Sequence, residues 1–153
     1  MTRGNIDILK ENKIITRLFI SSDMYPSGVM RGICEQYKNY HEVNGIQLHD
    51  KEIYNGINDF IGQLIWFLKD DNRKQKEENS KQIAELLGVT YDSSNEAGWL
   101  YVYGPDDKFC DTEYNYNIYS KEDRLCVSCA GQDTLFEGTM EEYIEWVEQR
   151  EED

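Results

Sequence analysis

The fold that this sequence predicts is α+β: a single domain over residues 1–153, with helices packed on one face of an antiparallel sheet. Three observations predict it. Apolar residues recur at helical spacing over residues 53–68, the period switches to two from Trp99 onward, and no repeat or low-complexity linker divides the chain. The expected order is an N-terminal strand and three helices, then an antiparallel β-meander, then a C-terminal acidic helix.

Residues 1–13 are polar and read as a loose or short helical lead-in. Residues 14–20 (IITRLFI) are β-branched and apolar, the composition of a buried strand. Pro26 biases Tyr25 towards extended backbone, and Ser27 reads as the N-cap of a helix that begins at Gly28 and turns Val29, Met30, Ile33, Cys34 and Tyr37 inward. Asn44-Gly45 marks a turn. Ile53, Ile57, Phe60, Ile61, Leu64, Ile65 and Leu68 make one stripe of an amphipathic core helix. The polar run 70–73 interrupts it; a charged helix over 74–87 then buries Ile83, Leu86 and Leu87 and ends at Gly88, a C-cap.

The second half alternates. Residues 99–103, 112–119 and 125–129 read as strands separated by turns at 104–107 and 120–123, with a short fourth strand at 134–137. Thr139-Met140-Glu141-Glu142 has the capping-box pattern and opens a helix that points Tyr143, Ile144 and Val147 at the core.

Composition excludes several classes of function. A hydrophobic content of 39% is too high for a disordered chain. The longest apolar run, residues 60–68, is far shorter than the roughly 20 residues a membrane helix needs, and MTRGNIDILKENK lacks the apolar centre of an export signal. A cytoplasmic protein with free thiols at Cys34, Cys110, Cys126 and Cys129 is expected. The net charge of −14 has the wrong sign for binding nucleic acid or an anionic membrane directly. That charge is uneven: residues 1–50 carry six acids and six bases (0), residues 51–100 nine and six (−3), and residues 101–153 fifteen and four (−11).

The stretch Ile20-Ser21-Ser22-Asp23-Met24-Tyr25-Pro26-Ser27-Gly28-Val29 resembles the opening of a group of uncharacterised bacterial and phage proteins, in which an apolar strand runs into a DGYPxGVG-like corner and a helix. The Tyr-rich hairpin and the LFEGTMEEYIEW ending are similar to that group as well. Met24 and Met30 stand where the group has Gly. The resemblance implies a prokaryotic or phage origin and carries over no catalytic residue.

Five constellations bear on function. Asp23, Tyr25, Ser27 and Gly28 form a strand-to-helix corner of the kind that holds anions or a catalytic carboxylate; a turn carboxylate accepting backbone N–H bonds is the plainer expectation. Cys126 and Cys129, with Cys110 and His41 or His49, would supply zinc ligands, yet positions i and i+3 of a strand face opposite ways, so no metal site is expected. Cys34 and His41, seven apart on one predicted helix, are too distant for a nucleophile–base bond. Trp99, Tyr101, Tyr103, Tyr114 and Tyr116 resemble a base-stacking platform but sit among acids, which favours core packing.

The fifth is the last helix, where Glu141, Glu145, Glu148 and Glu152 repeat at helical spacing opposite the apolar stripe. Crowding like charges at a helix C-terminus is unfavourable. A plain solvated face has the same pattern and is its commoner origin; a chain that retains this repulsion is expected to use the field, either for solubility or to engage a protein partner with a basic groove. The reading is therefore a small acidic phage or mobile-element accessory protein that binds and inhibits a nucleic-acid-binding host or defence protein by electrostatic competition. The alternative is a small enzyme or ligand-binding domain with its site at Asp23–Gly28. Neither reading calls for a cofactor.

Overall fold

The computed structural model describes residues 2–45, 51–88, 98–107 and 111–152, and leaves the side chains of Thr134, Glu151 and Glu152 outside the description. It opens on a hairpin that the sequence does not announce. Gly4–Lys10 (β1) pairs antiparallel with Lys13–Ile20 (β2) through Glu11 and Asn12, whose φ angles of 52° and 64° make a two-residue type I′ turn without glycine. The expected polar lead-in is thus a strand. Its alternation is Ile6 and Ile8 into the core against Asn5 and Asp7 on the other face, all four buried.

The helix after the corner, Val29–Tyr37 (α1), has Gly28 as its N-cap residue and no side-chain cap, so Ser27 does not play that part. Two short strands, His41–Glu42 (β3) and Ile53–Tyr54 (β4), pair parallel with each other. The two expected middle helices are one, Gly56–Leu87 (α2). The run 70–73 does not break it, because Asp70 pairs with Arg73 at 2.9 Å and Lys74 at 3.0 Å along the helix. Those cations hold the Asp70 carboxyl below its usual range, Lys74 first. At 1.5 Å per residue α2 is about 48 Å long, more than the core beneath it can cover. Ile57, Phe60, Leu64 and Leu68 are buried; Ile83, Leu86 and Leu87, expected inside, are exposed, Leu86 by 86%. Gly88 ends the helix in the left-handed conformation, as its type suggests.

Leu100–Tyr103 (β5), Tyr114–Lys121 (β6), Arg124–Gly131 (β7) and Thr134–Thr139 (β8) follow, then Met140–Glu152 (α3). Only β6, β7 and β8 form the expected meander. Strand β5 pairs with β2, and β1 lies between β2 and β6, parallel to β6, giving the order β4-β3-β7-β6-β1-β2-β5 with β8 on β7. The α+β arrangement predicted from sequence is therefore corrected to a mixed α/β fold, with three helices and an eight-stranded sheet among the described residues. Periodicity reads each strand locally but says nothing about a parallel partner a hundred residues away.

Ile6, Ile8, Leu18, Ile20, Tyr116, Ile118 and Val127 face one way, and all three helices cover them in a single core. The opposite face is mixed, with Phe19 against Tyr101 at one end and a polar row across its middle. Glu137, Ser128, Asn117, Asp7 and Arg17 stand in register across β8, β7, β6, β1 and β2. Asn117 Nδ2 donates to Ser128 Oγ at 3.1 Å, and Arg17 Nε to Asp7 Oδ1 at 2.9 Å.

Candidate functional site

The corner between β2 and α1 is fastened from three sides. From β6, the buried Tyr116 hydroxyl donates to the Met24 carbonyl at 2.7 Å; from α3, the buried Tyr143 hydroxyl donates to the Pro26 carbonyl at 2.7 Å. Just before β5, Trp99 Nε1 donates to Ser22 Oγ at 3.2 Å, which pins the indole beside the corner. Burial holds both tyrosine hydroxyls protonated well above the ordinary phenol range.

Within this frame Asp23 has φ 62°, a left-handed conformation that Asp tolerates better than most residues. Its main-chain carbonyl accepts the Val29 N–H at 2.8 Å. The plain expectation was a carboxylate capping backbone amides, but the amide bond at this corner goes to the carbonyl, and no described residue bonds the exposed carboxylate. A Cβ on Gly28 would overlap the Asp23 carbonyl oxygen, so only glycine lets the chain double back here.

A cleft of ≈ 440 Å³ opens between this corner and α2, lined by Asp23, Tyr25, Gly28 and Trp99 on one side and by Asn72, Gln75, Lys76 and Asn79 on the other. Of the four residues singled out at the corner, Ser27 alone is absent from the described lining. The α2 residues were missed because their polarity reads as a solvated helix face. Asp71, also lining the cleft, accepts a bond from Gln75 Nε2 at 3.0 Å.

Of the four glutamates of the stripe, Glu141, Glu145 and Glu148 are described, on the exposed side of α3. Glu141 and Glu145 are exposed on α3, while Tyr143, Ile144 and Val147 are buried beneath. Glu148 is partly neutralised by Arg31 of α1 at 3.4 Å, a pair that sequence does not show. Glu142 is used locally: its carboxylate accepts the Thr139 N–H at 3.0 Å and Thr139 Oγ1 accepts the Glu142 N–H at 3.1 Å, the reciprocal capping box. The Glu152 side chain lies outside the description. Arg150 stacks on Trp146 at 4.8 Å.

The other constellations separate. Tyr114 and Tyr116 are in the core, whereas Tyr101 lies against Phe19 on the far face of the sheet, at 5.9 Å between ring centroids. Cys34 is buried on α1 and His41 lies on β3, not on the same helix as expected. Among the described residues no three His, Cys, Asp or Glu side chains cluster as metal ligands; Cys110 and His49 lie outside them. No described helix is long and apolar enough to cross a membrane. The chain matches no protein-family model, no curated protein and no solved structure.

Proposed function

We propose that the protein acts in the cytoplasm of a prokaryotic cell by binding a basic partner through the outer face of α3. The observation that carries this reading is the exposure of Glu141 and Glu145 on a helix whose other face is anchored in the core. Their charge is held at a fixed rise of about 6 Å, the i, i+4 step of a helix. The partner is a host or defence protein whose groove ordinarily holds nucleic acid, and the carboxylates occupy it in place of phosphates. The phage or mobile-element origin rests on the resemblance of the corner and the C-terminal segment.

Such a partner is retained from lysate at about 0.05 M salt, released at about 0.5 M, and displaced by added DNA or RNA. Changing Glu141, Glu145, Glu148 and Glu152 to Gln weakens capture by about tenfold or more with an unaltered thermal transition. Affinity unchanged by the four substitutions refutes the reading.

A second reading is favoured by the cleft. Asp23 places a carboxylate without a described partner beside Trp99, Tyr25 and a helix start that has no side-chain cap, the mixture of apolar and polar groups that small-molecule sites use. The pocket would take a small polar ligand. Asp23→Asn keeps the left-handed backbone tolerable while removing the charge, so it abolishes the ligand-induced rise in melting temperature found by screening small polar metabolites. A hit that stabilises the variant and the parent equally does not use this corner.

A further inference from the structure

The outer edge of β8 is the longest sheet edge left unpaired among the described residues. Gln132 and Asp133, with φ of 46° and 62°, form a two-residue turn, so Gly131 and Thr134 flank it as a hydrogen-bonded pair. Alternation then turns the N–H and C=O of Leu135 and Glu137 away from β7. Thr139 shares that parity, and its N–H is bonded outward by Glu142 in the capping box, which agrees with the assignment. No described strand or loop bonds Leu135 or Glu137 on that side.

Edges are ordinarily blunted by Lys, Pro, a bulge or brevity. Strand β8 has six residues, TLFEGT, with no Lys or Pro, and its register with β7 is unbroken. The other edge strands, β4 and β5, have two and four residues. Leu135 is 80% exposed and lines a trough with Asn117, Ser128 and Glu137.

We infer that β8 is a docking edge for an extended, basic segment of a partner protein, added as a further strand with its main chain bonded to Leu135 and Glu137. Charge complementarity selects this occupant. Asp133 and Glu137 lie on the β7–β8 hairpin and Glu141 and Glu145 follow on α3, within a third of the chain that carries a net −11. A second copy of the chain would bring the same charges and a second Glu137 to the edge. In an antiparallel addition, the partner places a Lys or Arg opposite Glu137 and, two residues later, an apolar side chain opposite Leu135. The inference rests on the acidic-face reading and adds the form in which the partner is grasped.

The test uses the full chain and a blocked heptapeptide, Thr-Lys-Thr-Val-Thr-Lys-Thr, as probe. Amide hydrogen exchange at Leu135 and Glu137 is expected to slow by about tenfold on saturation. N-methylation of the central Lys-Thr-Val nitrogens, or Leu135→Lys in the protein, removes the effect. Binding without slowed exchange at those two amides, equal binding of the methylated peptide, absence of binding at about 0.05 M salt, or a dimer in which the two amides are already protected each overturns the edge inference. If capture of a partner depends on the α3 glutamates while the peptide leaves the edge untouched, the edge alone fails. If capture survives their loss, the parent reading fails whatever the peptide does.

Discussion

Gly28→Ala is expected to lower the free energy of unfolding by about 3 kcal/mol or more, whereas Gly62→Ala raises it by about 0.5–1 kcal/mol. The contrast comes from what each new methyl group would meet. At Gly62, on the exposed side of α2, there is nothing within 4 Å, and alanine only removes backbone freedom from the unfolded chain. At Gly28 the three nearest atoms are all main chain: the Asp23 carbonyl oxygen overlaps the new Cβ, with Asp23 C at 3.0 Å and Tyr25 O at 3.2 Å. No side chain can swing aside. The corner can relax only by drawing the Asp23 carbonyl from the Val29 N–H or by disturbing the carbonyls held by Tyr116 and Tyr143. Urea unfolding of the two variants beside the parent checks this, and a Gly28→Ala loss below about 1 kcal/mol means that the corner is pliant.

The second large effect is alkaline. Burial pushes the Cys129 thiol up to about 11 and the Cys34 thiol further. Both stay protonated in the folded protein at a pH where the unfolded chain, with thiols near 8.5, has lost its protons. The native state then binds more protons than the unfolded state, so stability falls as pH rises. The contribution is complete below about pH 8.5 and declines through the folded values, by about 1.4 kcal/mol per pH unit for each thiol. Together the two account for a loss of about 5 kcal/mol between pH 8.5 and 10.5. From about pH 10, where tyrosines of the unfolded chain ionise, the buried Tyr116 and Tyr143 and Tyr54, raised to about 12, add to the loss. Urea unfolding with a reductant at roughly pH 8, 9.5 and 10.5 measures the slope, and Cys34→Ala with Cys129→Ala flattens its lower part. Stability unchanged up to pH 10.5 would contradict the burial of these thiols.

What could be read from sequence was local. The capping box at Thr139 and Glu142, the αL cap at Gly88 and the apolar run of β2 each depend on a few neighbouring residues, and each is found. Strand β1 was hidden because Asn5 and Asp7 are buried polar residues: Asp7 pairs with Arg17, and Asn5 accepts the Thr112 hydroxyl at 2.9 Å. Its turn was hidden because Glu11-Asn12 lacks the glycine that usually marks a type I′ hairpin. One wall of the cleft was legible in Asp23, Tyr25 and Gly28; the other came from Asn72, Gln75 and Asn79, brought there by the length of α2. The acidic stripe follows from spacing alone, but its partial neutralisation by Arg31 needed the packing of α1 on α3.

The central place of β1 has a consequence for synthesis. Gly4 pairs with Tyr114, 110 positions later. At about 5–20 residues per second, the ribosome delivers that partner about 5–19 s after the β1–β2 hairpin is made. Through that interval one side of β1 is a bare strand edge, open to any extended chain nearby. Pairing with β6 is what closes that edge. A chain cut short before residue 114 lacks β6, β7 and β8 and keeps β1 as an open edge of a β1–β2–β5 sheet.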